Sequence, residues 1–475
     1  MNDSLYRFPR TLMSDLQMDR ILSERAIEIL SAPCDGKLRQ ARLDTFFALE
    51  DPTRIARVEE CLSALIRLQR TLELLGSAQT EMERNSLEQA RLQTYVGACE
   101  ALSSLTDCGL RLAVVSADFS RAERVAVLAE MRADQARLAA LSEAMQVNLL
   151  SISDKVWVTP NREAVSECDR VAACIKAMGL EPMRICARSV RSDATLADAV
   201  CRLYAEETAQ ISRICQMRTA FDWEEPTSYI PELKFYLEIC ALLAKAHACG
   251  IPHCIPATAS MPQYTARELY DISLFGKECE RIIPNDVSLT AHEPFSFLIG
   301  ANGGGKTTYL RAVGLNLVLF CAGCPVFARE ATIYPFVRIF SHFPRDERFE
   351  QIGRLDEERS RVEQMQSEAD GYETFWLFNE TFSGTDDARG FALVCQTLEQ
   401  IEKAGHFGLY VTHFHEVMQL DAPVLSAEVN LTDENKRTYR ICKAKGNTSS
   451  YAADILRKYR LDRLSLQERR EHGGH

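Results

Sequence analysis

The sequence predicts a multidomain protein, all-α from Met1 to Arg281 and α/β from Ile282 onward, and three observations predict it. Its 475 residues set a prior of about three domains, at roughly 100 to 200 residues each. Apolar residues recur at three- and four-residue spacing through the first part, where alternating strand patterns are nearly absent. From Ile282 the pattern changes to strand, helix, strand, helix, strand, with a glycine-rich segment between the first strand and the first helix.

Composition narrows the class. Hydrophobic residues make up 46% and charged residues 26%, an ordinary globular balance, and 22 Gly with 16 Pro fall below what a disordered or collagenous chain carries. The 17 cysteines are odd in number and scattered, which suits buried thiols in a reducing compartment and implies no disulfide framework. Met1 to Arg20 is polar with acids mixed in, unlike a secretory or transit segment, and the apolar run Leu315 to Phe327 contains Asn316 and is too short for a bilayer. A cytoplasmic protein with no membrane partner is expected. The net charge of −12, from 55 basic and 67 acidic residues, argues against a protein that coats nucleic acid, so any DNA contact must be local.

Taken in order, Val58, Cys61, Leu62, Leu65, Ile66 and Leu72 form one helix face within a helical core at 1–121. A longer pattern from Ala122 to Leu150 uses Val125, Leu128, Leu138, Leu141, Met145 and Leu149, and another from Leu196 to about Phe221 uses Val200, Leu203, Ile211, Ile214 and Cys215. Two helices of about 27 residues would be about 40 Å long, which suits a pair of lever arms over 122–221. Their tip at 151–194 holds a β-prone run, Val156-Trp157-Val158, and is therefore not expected to be purely helical. Pro226 and Pro231 precede a helix from Pro231 to Ala248, and Pro252, Pro256 and Pro262 mark a loop-rich joint, so 222–281 reads as a return to the core. The last domain, 282–475, has strands at Phe295–Gly300, Thr374–Phe378 and Gly408–Thr412 and helices at Lys306–Phe320 and Asp387–Ala404.

Chemistry concentrates in that domain. Gly300-Ala301-Asn302-Gly303-Gly304-Gly305-Lys306-Thr307 matches G-x-x-x-x-G-K-[ST] and lies between an apolar strand and a helix, as a P-loop must. Glycines let backbone N–H groups curl around phosphate oxygens, the helix N-terminus adds positive dipole, Lys306 reaches the β- and γ-phosphates, and Thr307 offers a hydroxyl to Mg²⁺. ATP with Mg²⁺ is the expected ligand pair. A bare glycine-rich turn is the poorer reading, because strand, loop, Lys-Thr and helix agree. Phosphoryl transfer also needs a carboxylate, and Glu380 closes the next apolar strand, where it would polarise the attacking water. Asn379 before it offers Mg²⁺ only a neutral amide oxygen in place of the usual Asp, so weaker metal holding or slow turnover is expected. His413 ends a third strand; it either reports the γ-phosphate or serves as a structural histidine. His406, His413 and His415 lack the spacing of a metal site, and Cys321 with Cys324 read as buried thiols.

These residues together resemble the ATPase domain of the MutS DNA mismatch-repair family, which is related to ABC-type ATPases. Gly300 to Thr308 with Tyr309-Leu310-Arg311 is similar to that family's G-P-N-M-G-G-K-S-T-[YF]-[LM]-R, with Ala301 and Gly303 for the usual Pro and Met. Ile283-Pro284-Asn285-Asp286 resembles the segment opening the domain, with Ile282 standing where an aromatic often stacks on adenine. Arg338-Ile339-Phe340, Gly384-Thr385, Val411 to Glu416 and Ser449-Ser450-Tyr451 resemble further segments of the family, and the likeness is strong over about Ile282 to Leu461. It is weaker at Tyr229 to Leu233 and Ala266 to Tyr270, which look like the end of the family's helical core. The resemblance implies all-α core and lever helices followed by a P-loop (ABC-type) α/β ATPase domain. It also implies a composite site in which Gly353, in Gly353-Arg354-Leu355, meets the nucleotide of a second subunit; Leu355 replaces the family's Ser there.

No Phe-x-Glu wedge appears upstream, so a short MutS-related protein without the mismatch-binding domain is expected. The function this implies is an ATPase and homodimeric, nucleotide-gated clamp on duplex or branched DNA in repair or recombination, with a repair-pathway protein as a further partner. Arg162, Arg170, Lys176, Arg184, Arg188 and Arg191 at the lever tip would meet phosphates, although Glu163, Glu167 and Asp169 accompany them and a solvated mixed face fits equally. The acidic balance favours a second reading, a nucleotide-gated module that clamps a protein or ribonucleoprotein without reading DNA.

Overall fold

The computed structural model describes residues 6–152, 155–161, 173–179, 194–216, 221–275, 282–343, 354–383, 387–429 and 437–444. The chain forms two compact units, one of residues 51–234 and one of residues 1–50 with 235–475. Among the described residues no helix is long and apolar enough to cross a membrane.

Three helices open the chain, α1 (Arg10–Asp15), α2 (Glu24–Leu30) and α3 (Gly36–Ala48). They pack on the α/β part and not within a helical core at 1–121, because Leu12, Leu16 and Met18, all 0% exposed, form an apolar face that needs cover. Cys34 N–H also donates to the Cys321 carbonyl over 2.9 Å, which ties this segment to the end of a helix of that part.

The 51–234 unit is helical. It contains α4 (Pro52–Leu75), α5 (Glu81–Ser103), α6 (Leu110–Phe119) and α7 (Ala122–Ala144). Asp51 caps α4 through the Thr53 N–H with Pro52 in the first turn, and Thr80 with Glu83 forms a full capping box on α5. On α4 the structure buries Val58, Cys61 and Leu65 of the expected face and leaves Leu62, Ile66 and Leu72 half-buried. Helix α7, about 35 Å long for its 23 residues, is shorter than the expected run to Leu150. Its continuation forms strand β1 (Val147–Ile152), with β-branched residues at both ends, paired antiparallel with β2 (Lys155–Pro160), which holds the β-prone Val156-Trp157-Val158. The expected helix from Leu196 is two, α8 (Ala194–Leu203) and α9 (Ala205–Gln216). Backbone bonds from Tyr204 to Val200 and from Thr208 to Tyr204 span the junction, so it is a kink, and the Tyr204 hydroxyl donates to the Gln146 carbonyl. Of the basic tip residues, Lys176 is described and exposed; Arg162, Arg170, Arg184, Arg188 and Arg191 lie outside the described residues.

Helix α10 (Ile230–Ala248) leads to strands β3 (Ala257–Thr258), β4 (Tyr264–Leu269) and β5 (Asn285–Leu289). Ala266 to Leu269, read as part of a helical core, belongs to β4, which buries Tyr264 and Ala266 in alternation and, past a register shift between Ala266 and Leu269, Leu269 as well. There follow β6 (Phe295–Ile299), α11 (Lys306–Cys321), β7 (Glu330–Ile333), β8 (Arg338–His342), α12 (Arg354–Ala369), β9 (Thr374–Asn379), α13 (Asp387–Lys403), β10 (Phe407–Val411), β11 (Val424–Val429) and β12 (Arg437–Lys443). Strands β3, β7, β4 and β5 form a small sheet, and the larger one has the order β12-β11-β6-β10-β9-β8, parallel except at β12. Both faces of its centre are covered, so β6, β9 and β10 are buried along their whole length, which explains their unbroken apolar runs. Trp376 in β9 donates its indole N–H to His406 Nδ1 over 3.0 Å, and burial holds the His406 pKa below its usual value, which keeps the ring neutral and able to accept.

Two glycines are set by close approach. A Cβ on Gly408 in β10 would lie 2.5 Å from the Trp376 carbonyl oxygen, whereas one on Gly314 in α11 would meet the ends of Leu377 and Leu16 at 2.5 and 2.6 Å. Backbone in a central strand cannot move aside; leucine ends can. Gly408→Ala is expected to lower unfolding stability by about 1–3 kcal/mol, and Gly314→Ala by less, in denaturant titrations. An unchanged midpoint for Gly408→Ala would contradict the packing described.

Candidate functional site

After Ile299 the chain turns through Gly300, Gly303 and Gly305, with φ of 127°, 74° and 94°, and α11 begins at Lys306. Residues with a Cβ rarely adopt such angles. Gly304 is required for a different reason: a Cβ there would stand 2.9 Å from the Ala301 carbonyl oxygen and 3.0 Å from the Ala427 Cβ in β11. No side chain caps the N-terminus of the 16-residue helix, so its first-turn N–H groups and positive dipole end face the loop uncovered by a cap. Lys306 is 5% exposed, and its Nζ donates to Gly300 O, Ala301 O and Asn302 Oδ1 at 2.7, 3.2 and 3.2 Å. Asn302 and Gly303 are exposed and Thr308 is half-buried in the first turn. A loop of this shape can cradle phosphate oxygens.

Strand register brings the other groups to the same end of the sheet. Strand β10 lies between β6 and β9, and Val411 stands beside Leu298 on one side and Asn379 on the other. Thr412 N–H donates to Leu298 O over 3.0 Å and Glu380 N–H to Val411 O over 2.8 Å, which extends the ladder past the strand ends. Gly300, Glu380 and His413 therefore leave the sheet within two residues of one row. Thr307 Oγ1 donates to Asn379 Oδ1 over 3.3 Å, so two neutral oxygen donors of the kind Mg²⁺ takes face one another. His413 is exposed, with its ring 4.3 Å from that of Phe414.

The chain after β9 is strained. Glu380 and Phe382 have φ of 53° and 65°, each costing on the order of 1–3 kcal/mol for a residue other than glycine. Hydrogen bonds from three elements hold this turn. The Tyr410 hydroxyl donates to Thr381 O over 2.7 Å, His342 Nδ1 and Thr381 Oγ1 lie 2.9 Å apart, and Phe382 N–H donates to Glu358 Oε2 over 2.9 Å.

Sequence reasoning missed a contact on the other side of the loop. Tyr439, at φ 58°, has its ring within 3.4 Å of where a Gly305 Cβ would be, and Asn285 holds its strand by donating to Tyr439 O and accepting from Ile441 N–H. Ile282 is half-buried. Gly353, Gly384-Thr385 and Ser449-Ser450-Tyr451 lie outside the described residues.

Residues 296–455 match the protein family described as MutS domain V, a span that includes the glycine-rich loop, Glu380 and His413 but not Ile282. The chain is 31% identical over 156 residues to a DNA mismatch repair protein MutS of Natronomonas pharaonis, covering 30% of this chain and 17% of that relative. To an Endonuclease MutS2 of Clostridium acetobutylicum it is 25% identical over 280 residues, covering 57% of this chain and 34% of the relative. To one of Lactococcus lactis subsp. cremoris it is 29% identical over 222 residues, covering 44% and 28%. The chain thus spans about a third or less of the length of these relatives.

Arg311 anchors the helix that carries the loop. Its Nη1 lies 3.3 Å from Oδ2 of Asp271, whose side chain is 1% exposed, and burial raises the Asp271 pKa despite that cation. A raised folded-state pKa means that ionised Asp271 disfavours the fold as pH rises through that value. Arg311→Met removes the compensating charge and pushes the pKa higher still. It is expected to destabilise the protein by about 3 kcal/mol at neutral pH, and by less at about pH 5. Adding Asp271→Asn should recover much of the loss; equal midpoints for parent and Arg311→Met in urea would count against a paired, buried Asp271.

Proposed function

The chain belongs to the MutS family, and from that premise we propose that it is an ATPase whose nucleotide state gates a dimeric clamp on duplex or branched DNA, in repair or recombination and without an aromatic mismatch wedge. The observation that carries this reading is the single row of strand ends from which the glycine-rich loop, Glu380 and His413 emerge, with Thr307 and Asn379 facing each other beside it. In an open α/β sheet, ligands collect at the carboxyl ends of the parallel strands.

Lys306 and the backbone N–H groups of the loop would bind the phosphates, and Thr307 with Asn379 would hold Mg²⁺. The ion, when bound, neutralises charge that develops on the transferred phosphoryl group. Glu380 would orient a water and accept its proton, and His413 would meet the γ-phosphate. Asn379 brings no charge to the metal, which predicts slow turnover. The dimer follows from the family, in which a second subunit's segment completes the site; Gly353 would supply it here. The acidic net charge of −12 favours the alternative of a protein or ribonucleoprotein as the clamped partner.

Glu380→Gln is expected to keep MgATP affinity and to lower steady-state phosphate release by about 100-fold or more, since an amide accepts no proton. Mobility-shift titrations of duplex and branched DNA with this ATP-trapping variant separate the two ligand classes. Binding that needs ATP and weakens with salt supports a DNA clamp. No shift at low salt with ATP bound would leave the protein-partner reading.

A further inference from the structure

We propose that Glu358 on α12 is a positioning residue for Glu380, locking the strained turn that follows β9 so that the Glu380 carboxylate is aimed at the nucleotide; this rests on the ATPase reading above. Glu380 and Phe382 both adopt left-handed backbone conformations, and neither is glycine. Such a turn persists only where its surroundings over-determine it.

Two of the bonds that hold it come from strands flanking β9. Tyr410 in β10 and His342 in β8 grip Thr381, and all three residues are buried within the sheet. They fix the middle of the turn. The third bond differs in kind, because it comes from a helix and holds the N–H end of the peptide whose carbonyl Tyr410 holds: Glu358 Oε2 accepts from the Phe382 N–H over 2.9 Å, from a half-buried position in the second turn of α12. Phe382 is 1% exposed and sits in the apolar cluster with Phe378, Tyr410 and Phe414, so its side chain alone keeps the residue in the core. What the Glu358 bond adds is direction. Without it the Thr381–Phe382 peptide is held at its carbonyl end alone, by Tyr410, and can tilt about that bond, a change that the left-handed backbone of Glu380 on the other side of Thr381 would share. A carboxylate that works on a water must be placed to within a fraction of an ångström, whereas phosphate binding at the glycine-rich loop, on another strand, does not depend on this turn.

The test uses the intact chain, with MgATP turnover and binding measured separately. Glu358→Ala is expected to lower kcat by about 10- to 100-fold while leaving ATP affinity and the thermal midpoint close to those of the parent. Glu358→Gln, whose amide oxygen still accepts from the Phe382 N–H, should restore most of the rate. In a Glu380→Gln background, Glu358→Ala should have no further effect, because the group it positions is gone. A kcat within twofold of the parent for Glu358→Ala, a Gln variant as slow as the Ala variant, or a full additional loss on top of Glu380→Gln would each overturn the proposal while leaving the ATPase reading intact. A parent that binds MgATP but shows no turnover sensitive to Glu380→Gln would overturn the ATPase reading, and the positioning role with it.

Discussion

The parallel register of β6, β10 and β9 is the constraint on which the rest of the site depends. Leu298, Val411 and Asn379 stand side by side, and the ladder continues through Thr412 and Glu380 before the strands separate. A two-residue slip in either pairing would shift a strand end by about 7 Å, given roughly 3.3 Å per residue, and part the loop from the carboxylate. Aromatic packing between the strands opposes such a slip. Phe378 of β9 stacks on Tyr410 of β10 at 5.0 Å and the Phe297 ring of β6 lies 5.8 Å from that of Tyr410, while Gly408 lets β10 lie against the Trp376 backbone.

Around that rigid edge the backbone is forced into conformations that the sequence does not favour locally. Glycine meets the demand in the loop at 300–305, where three residues are left-handed and a fourth has no room for a Cβ. After β9 the demand falls on Glu380 and Phe382 instead, and hydrogen bonds from β8, β10 and α12 supply what glycine would have given for nothing. The difference has a physical basis. On the proposed reading, a phosphate cradle would work through backbone N–H groups, so its residues are free to be glycine, whereas a position that would present a carboxylate is not.

The parts legible in the sequence were those in which local pattern and tertiary role coincide. Strand, glycine-rich loop, Lys306-Thr307 and helix follow one another without a break, and the apolar strands ending in Glu380 and before His413 are recognisable as buried parallel strands. The Thr307–Asn379 pairing was within reach for the same reason. What escaped was non-local. Nothing near Glu358 or His342 in the sequence indicates Thr381 or Phe382, and Tyr439 is separated from Gly305 by more than a hundred residues. The opening 50 residues pattern as ordinary amphipathic helices, and the pattern carries no information about which partner buries Leu16. In the 122–150 segment the same apolar spacing fitted a long helix, whereas the chain from Val147 pairs with the β-prone Val156-Trp157-Val158 strand as a hairpin.

On the proposed reading, the glycine-rich loop binds the phosphates of ATP through Lys306. Isothermal titration calorimetry of MgATP into the intact protein and into a Lys306→Ala variant with an unchanged circular-dichroism spectrum tests it directly. The parent should bind saturably and the variant should lose about 10- to 100-fold in affinity, as when charge-assisted hydrogen bonds are removed. Equal affinity in the two proteins, or no binding by the parent in the presence of Mg²⁺, would contradict it.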